Sequence, residues 1–196
     1  MTHNGREVEI KLAVSGAVEA RRMLRAAGFR VYERRVFEKN TVFDTSSQTL
    51  RNSARLLRVR EIGKIAKLTY KGPPDNGKYK SREELELDVS DARTIGAIFE
   101  RLAYHPAFRY DKFRTEFRQR GASGVVTDGS VTGGVAMVDE TPIGVYLELE
   151  GSPAWIDRTA RKLGFAEKDY ITASYARLYT EWCEARGVEP TNMLFA

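Results

Sequence analysis

Residues 6–14 read REVEIKLAV and alternate polar and apolar side chains with a period of two. This alternation is typical of a β-strand with one face in a core and the other in a polar environment. The polar face carries Glu7, Glu9 and Lys11, and the opposite face is apolar. The stretch therefore predicts a strand that places two carboxylates and an amine side by side.

Strands with like-charged faces recur along the chain. Acidic pairs are predicted at Glu84/Glu86 and Glu148/Glu150, and basic pairs at Arg58/Arg60, Lys67/Lys71 and Lys112/Arg114. Glutamates at i and i+2 lie roughly 7 Å apart, and at an effective dielectric constant near 20 they repel by about 2 kcal/mol. A merely solvated face does not need this repulsion. Segregated acids and bases are what a magnesium–polyphosphate site requires, because carboxylates bind the hard cation and Arg and Lys bind phosphate oxygens.

The number of strands suggests how these faces are arranged. About eight strands are enough to close a barrel that holds a small ligand. Apolar outer faces would then lie under helices predicted after Ser15, Ser90 and Ser152 and over residues 172–186. The sequence thus predicts one α+β domain over residues 1–186, with a loosely held tail at 187–196 and a Gly-rich loop at 121–134.

Composition excludes several classes of protein. The 196 residues are 42% hydrophobic and 30% charged, as in globular domains. One cysteine, Cys183, allows no intrachain disulfide and indicates a reducing, cytoplasmic setting. With two histidines, the chain is poorly suited to a His/Cys zinc site or a His-based triad. No apolar run approaches the ~18 residues of a membrane span. The net charge of +5 suggests an anionic partner.

Seven segments, in order, resemble motifs of CYTH domains, the triphosphate tunnel metalloenzymes. They are EVEIK with Glu7, Glu9 and Lys11; VFDT from Val42; LLRVR with Arg58 and Arg60; LTYKGP with Lys71; SREELEL with Arg82, Glu84 and Glu86; YDKFRTEF with Lys112 and Arg114; and VDETPIGVYLELEG with Asp139, Glu148 and Glu150. Ser174-Tyr175 resembles the S-Y of the family's last helix. The resemblance covers about residues 6–180.

The resemblance implies an eight-stranded antiparallel barrel, with flanking helices, that forms a charged tunnel. Family members hydrolyse or cyclise triphosphates in this tunnel with Mg²⁺ or Mn²⁺. The implied metal ligands are Glu7, Glu9, Glu148 and Glu150. Catalytic phosphate contacts are expected from Lys11, Arg58, Arg60, Lys71 and Arg114, with Arg82 and Lys112 as further substrate ligands. Two alternative roles, binding of a second metal ion or orientation of arginine side chains, are expected for Glu84, Glu86 and Asp139. Tyr175 is expected to serve core packing rather than substrate contact.

We expect the reaction to be hydrolysis of inorganic triphosphate, thiamine triphosphate or a nucleoside triphosphate. An HFQP-like segment, present in some cyclases of this type, is missing from the sequence. One alternative is class IV adenylyl cyclase activity, which converts ATP to cyclic AMP and pyrophosphate. A second is a non-catalytic polyphosphate or RNA binder, although nucleic acid is the less favoured partner. The expected partner is a small triphosphate, with no membrane, and a homodimer is left open.

Overall fold

The computed structural model describes residues 3–119 and 133–196, with side chains from Gly5 onward in the first segment. Eight strands lie in these two segments: β1 (His3–Val14), β2 (Phe29–Asp44), β3 (Leu56–Ile62), β4 (Ile65–Lys71), β5 (Lys80–Val89), β6 (His105–Gln119), β7 (Gly134–Thr141) and β8 (Gly144–Gly151). The described helices are α1 (Ala17–Ala26), α2 (Thr49–Asn52), α3 (Ala92–Arg101), α4 (Pro153–Lys162), α5 (Tyr175–Glu184) and a 3₁₀ turn at Glu167–Asp169.

The strands form a closed barrel in the order β1-β5-β4-β3-β2-β6-β7-β8. Every neighbouring pair is antiparallel, and β8 returns to pair with β1. The predicted eight-stranded antiparallel barrel with flanking helices is therefore confirmed. The first part of β1, up to Glu9, pairs with β5, and the part from Glu9 onward pairs with β8. This strand therefore closes the barrel.

The main hydrophobic core lies outside the barrel, between its outer face and two helices. Ile10 and Leu12 of β1 are fully buried there, against α1 and α4. Leu147 and Leu149 of β8 join them, and Trp155 of α4 covers their outer side. The apolar half of β1 and of β8 thus faces the helices, and the charged half is left for the interior of the barrel.

The helix starts agree only in part with the sequence. Ser152 caps α4 as predicted, because its hydroxyl accepts a hydrogen bond from the Trp155 amide at 3.3 Å. The predicted caps at Ser15 and Ser90 are wrong by one residue. Ala17 is the first helical residue of α1, which places Gly16 at the cap. In α3 the cap is Asp91, whose carboxylate accepts from the Arg93 amide.

The C-terminal part of the chain fills one end of the barrel. Helix α5 starts at Tyr175 rather than at residue 172, with Ser174 as its cap. Past the end of the β1–β5 pairing, Lys11 of β1 exchanges two backbone hydrogen bonds with Ile171. An apolar cluster, here called the end cluster, joins α5 to the inner wall through Tyr110, Tyr175 and Met193, with Val42, Phe108, Ile143, Tyr146, Leu178 and Tyr179 against them.

One residue of the C-terminal tail, Met193, is held more firmly than the sequence predicts. This residue is 1% exposed, and its backbone forms a parallel β-bridge with Tyr110. The sequence predicts instead that residues 187–196 are loosely held. In this region β6 extends beyond its pairing with β7, so the tail covers a backbone edge that would otherwise be free.

Most of the predicted Gly-rich loop at 121–134 lies outside the described residues, which resume at residue 133. Gly134 opens β7 beside Trp155, and a Cβ at this position would lie 2.4 Å from the indole ring. The described part of the chain contains no helix that is both long and apolar enough to span a membrane.

Candidate active site in the barrel tunnel

The predicted site residues come together on the inner face of the barrel. Ion pairs that skip a strand demonstrate this, because such contacts can form only across the interior. Lys71 of β4 reaches Glu7 of β1 past β5, and Arg114 of β6 reaches Glu148 of β8 past β7. Ten of the predicted residues are buried: Glu7, Glu9, Lys11, Arg58, Lys71, Arg82, Glu84, Lys112, Asp139 and Glu148. The other four, Arg60, Glu86, Arg114 and Glu150, are half-buried.

One group of contacts centres on Lys71. Its Nζ lies 2.6 Å from both carboxylate oxygens of Glu7 and 3.1 Å from Glu84 Oε2. Arg82 approaches the same Glu7 at 3.5 Å through Nε, and this atom has no hydrogen-bond partner in the described structure. The cations of β4 and β5 therefore neutralise Glu7 and Glu84 without using all of their own donors.

A second group surrounds Glu9. Lys80 Nζ donates to Glu9 Oε1 at 2.6 Å, and Lys11 Nζ lies 3.3 Å from the same oxygen. Burial opposes ionisation, but Lys11 and Lys80 hold the pKa of Glu9 well below its usual range. Burial lowers the pKa of Lys80 to about 8. Sequence reasoning missed Lys80, although its position two residues before Arg82 places it on the same strand face.

The third group is built on Asp139, which is completely buried. Lys112 donates to Oδ2 at 2.7 Å, and Arg114 donates to Oδ1 and Oδ2 at 2.7 and 2.6 Å. Tyr175 also donates to Oδ2, at 2.7 Å. Although burial works in the other direction, Arg114 and Lys112 keep the pKa of Asp139 low. Arg114 also pairs with Glu148, so this wall is a saturated network.

Arg58 stands apart because it has no hydrogen bond to a carboxylate. Its guanidinium donates to the Tyr110 hydroxyl at 3.3 Å and to Thr69 Oγ1 at 3.1 Å, and the nearest carboxylate oxygen, on Glu86, lies 3.9 Å away. Arg58 Nε is buried without a partner in the described structure. Burial raises the pKa of the Tyr110 phenol, but Arg58 and Lys112 outweigh it and bring the value to about 8.

The remaining cations lie between β2, β3 and β4. Arg60 donates to Asn40 Oδ1 at 3.0 Å and lies 3.3 Å from Glu38. Despite burial, Arg60 and Lys112 lower the pKa of Glu38 to about 2. Lys67 pairs with Glu86 at 2.9 Å and is about one-third exposed. Glu38 and Asn40 could not be found from the pattern of charges, because neither belongs to a like-charged pair.

Glu150 differs from the other predicted metal ligands because no cation pairs with it in the described part of the chain. Within the described residues it forms no ion pair and no hydrogen bond, in contrast to Glu148, which pairs with Lys11 and Arg114. Burial and the neighbouring Glu7 carboxylate raise the pKa of Glu150 to about 8. Burial and Glu9 also raise the pKa of Glu7. Such raised pKa values are expected where several carboxylates are buried close to one another.

The donor chemistry at Glu7, Glu9 and Glu150 suits a hard divalent cation, which prefers carboxylate oxygens. In the conformation described, however, no group of three or more His, Cys, Asp or Glu side chains among residues 5–119 and 133–196 converges closely enough to hold a metal ion. Instead, Glu7 forms an ion pair with Lys71, and Glu9 forms one with Lys80. The assignment of Mg²⁺ or Mn²⁺ to these carboxylates therefore stays a prediction, and it requires the lysines to move aside.

The environment of Glu150 leads to a prediction on stability. Its pKa is raised from 4.5 unfolded to about 8 folded, so its contribution to stability is full below about pH 4.5 and is lost as the pH rises through 8. Glu150→Gln should therefore unfold nearly like wild type in urea at pH 5 and be more stable at pH 9, by up to about 5 kcal/mol for a pKa raised from 4.5 to about 8. Glu148→Gln should be less stable than wild type at both values, because Lys11 and Arg114 lose a partner.

Glu100→Gln, at an exposed position on α3, is the control for this comparison. On sequence alone, Glu148 and Glu150 are equivalent metal ligands. Equal responses of the two variants would support that equivalence and contradict the difference described here.

The closed barrel and its ion-paired inner face define a class of protein: antiparallel barrels that carry a charged tunnel. The CYTH domain profile matches residues 5–175, and the chain belongs to this family. Family membership supports a metal-dependent enzyme and confirms the resemblance noted in the sequence.

Relatives of the chain agree with this assignment. It is 27% identical over 146 residues to a protein named "Putative adenylate cyclase MJ0240" from Methanocaldococcus jannaschii, which covers 74% of the chain and 77% of that protein. An adenylate cyclase candidate from Vibrio parahaemolyticus has the same fold, with a TM-score of 0.70 at 18% identity over 91% of this chain and 99% of that one. HpAC1 from Hippeastrum, described with a dominant triphosphatase activity, has a TM-score of 0.60 at 16% identity over 96% and 98%.

Proposed function

We propose that the chain hydrolyses a triphosphate compound in its tunnel with Mg²⁺ or Mn²⁺. Candidate substrates are inorganic triphosphate, thiamine triphosphate and nucleoside triphosphates. The observation that carries this proposal is the state of Arg58, a buried guanidinium whose hydrogen bonds go to neutral groups and whose Nε has no described partner. The nearest counter-ion of this buried cation, Glu86, lies 3.9 Å away and is not hydrogen-bonded to it. A buried cation that is incompletely paired is costly, and a phosphate oxygen would supply a closer negative charge.

Neighbouring strands extend this anion site. Arg58 lies on β3, Lys71 on β4 and Arg82 on β5, and the three strands are adjacent in the barrel. Arginine and lysine are the side chains that bind phosphate oxygens through charge-assisted hydrogen bonds. A phosphate chain along this wall would draw Lys71 away from Glu7, since one amine cannot fully serve both. Substrate binding therefore frees a carboxylate that could hold a cation.

Lys80 and Glu9 can exchange partners in the same way. Because burial lowers the pKa of Lys80 to about 8, loss of its proton near neutral pH costs less than for an exposed lysine. Glu7, Glu9 and Glu150 would hold the divalent ion once Lys71 and Lys80 have moved. When bound, the ion would neutralise phosphate oxygens and could activate water.

The protein's own part in the reaction is to bind and to stabilise charge. Fixed cations aimed at the phosphate oxygens stabilise the charge that develops in a phosphoryl-transfer transition state. The Thr69 hydroxyl is already engaged by Arg58 and Glu86, so it is not a free nucleophile. We therefore assign the attack to water.

A second candidate is cyclisation of ATP to cyclic AMP and pyrophosphate, which the name of the Methanocaldococcus relative favours. The attacking group would then be the ribose 3′-hydroxyl, and the scissile bond would lie at the α-phosphate. The third alternative, a non-catalytic RNA or polyphosphate binder, draws less support. Phe117 is buried in the main core, and Phe113 packs on Phe37 and Phe195, so these aromatic rings are engaged within the protein.

Product analysis tests these alternatives. Purified protein is incubated with tripolyphosphate, thiamine triphosphate and ATP, in Mg²⁺, in Mn²⁺ and in excess chelator. We expect orthophosphate release that requires the divalent ion. Cyclic AMP with pyrophosphate from ATP would instead support the cyclase, and binding without turnover would support the non-catalytic alternative. Full activity in excess chelator would contradict the metal requirement.

A further inference from the structure

Tyr175 connects helix α5 to the charged wall of the tunnel. It is the first residue of α5 and is 6% exposed. Its ring lies between two lysines, with Lys11 Nζ 5.1 Å and Lys112 Nζ 5.3 Å from the ring centroid. Both distances are within the range of cation–π attraction. The expectation that Tyr175 serves core packing is therefore incomplete, because the ring also contacts tunnel cations.

The Tyr175 hydroxyl shares its acceptor with the same wall. It donates to Asp139 Oδ2 at 2.7 Å, and this oxygen also accepts from Lys112 at 2.7 Å and from Arg114 at 2.6 Å. Three donors thus compete for one carboxylate oxygen. Because the neutral phenol also donates to this oxygen, the oxygen binds the two cations less strongly.

We propose that Tyr175 is a positioning residue that limits how tightly Asp139 holds Lys112 and Arg114, and so keeps both cations ready for an anionic phosphate chain. The inference rests on the proposed function, because it assumes that these cations bind phosphate. Without the hydroxyl, Asp139 would hold Lys112 and Arg114 more tightly, and the phosphate chain would bind more weakly.

The backbone around Tyr175 suits this role. The Ser174 hydroxyl accepts from the Arg177 amide at 3.2 Å and fixes the start of α5. Three residues earlier, Ile171 is hydrogen-bonded to Lys11 in both directions. Tyr175 is thus held from both sides, and its ring packs against Tyr110 and Tyr146 of the end cluster.

The test compares Tyr175→Phe with Tyr179→Phe. Both substitutions remove one hydroxyl from α5 and keep the ring, but the Tyr179 hydroxyl donates to the Asn192 carbonyl, away from the tunnel. Binding of inorganic tripolyphosphate is measured by calorimetry in excess chelator, which prevents turnover. We expect the dissociation constant of Tyr175→Phe to rise about three- to tenfold, as for the loss of one hydrogen bond. That of Tyr179→Phe should be unchanged.

A double-mutant cycle separates positioning from simple packing. If Tyr175 acts through Asp139, then Tyr175→Phe should have no further effect on tripolyphosphate affinity in an Asp139→Asn background. An equal loss in both backgrounds would mean that the hydroxyl only supports the fold and would overturn the inference. Should Asp139→Asn fail to fold, a Lys112→Gln background replaces it, in which the effect of Tyr175→Phe should shrink.

The outcomes also distinguish this inference from the proposed function. If wild-type protein releases no orthophosphate from any of the three triphosphates, the proposed function is wrong and the inference falls with it. If it hydrolyses a triphosphate but does not bind tripolyphosphate in excess chelator, the inference alone is wrong. If wild type binds and Tyr175→Phe binds equally well, the inference alone is wrong.

Discussion

Arg58→Ala is expected to lower the turnover of tripolyphosphate by at least about tenfold while leaving the fold intact. Arg58 donates to Tyr110 and Thr69. Glu86, 3.9 Å away, keeps its closer partner Lys67, so removal of Arg58 does not leave that carboxylate unpaired. It does remove a buried cation from the surface that we assign to the phosphate chain, and a fixed charge of this kind is typically worth more than a factor of ten in rate. Phosphate release under saturating Mg²⁺ measures the effect, and thermal unfolding checks the fold.

Arg55→Ala is the matched control, because Arg55 precedes β3 and its guanidinium donates to the Ser53 hydroxyl rather than to a tunnel group. Its turnover should equal that of wild type. Arg58→Lys should restore little activity, since the planar fork that binds two phosphate oxygens is lost. Wild-type turnover in Arg58→Ala would remove Arg58 from the phosphate site.

Arg114→Ala is expected to unfold far more easily than wild type, by about 3–5 kcal/mol, as for the removal of one partner from a buried ion pair. Arg114 holds both Asp139 and Glu148, and each carboxylate would be left with fewer cations. The sequence alone treats Arg58 and Arg114 as equivalent phosphate contacts that can be removed without harm to the fold. The structure separates them by their partners.

Arg118→Ala serves as the control on the same strand. Arg118 pairs with Glu116 but is 30% exposed, and such pairs contribute about 0–1 kcal/mol. Urea unfolding of the two variants gives the comparison. Equal stability of Arg114→Ala and Arg118→Ala would show that the Asp139 network contributes nothing to the fold.

The inner face of the barrel could be predicted because strand alternation depends on local sequence. A period of two assigns Glu7, Glu9 and Lys11 to one face whatever the partners are. The same rule applied along β5 would also have found Lys80, which lies two residues before Arg82 on the same face. Motif order then identified the family, since several weak patterns in one sequence are far more specific than any one of them.

The partners of each charge could not be predicted, because they depend on strand register. Glu148 lies opposite Lys11 in the β1–β8 pairing, whereas Glu150 lies opposite Glu9. A difference of two residues therefore places one carboxylate beside an amine and the other beside a second carboxylate. The register between strands that are far apart in sequence is set by the closed barrel as a whole. It cannot be predicted from the pattern of charges along one strand.

The C-terminal tail has a consequence for how copies of the protein behave in solution. Asp111 donates its amide to the Met193 carbonyl at 2.9 Å, and Met193 donates to the Arg109 carbonyl at 3.0 Å. Phe195 also covers Phe113, with ring centroids 5.2 Å apart. A chain that ends before Met193 would expose both a strand edge and an aromatic ring, which together favour strand addition from another molecule. We therefore expect loss of the final residues to promote aggregation, although these residues contribute no charge to the tunnel.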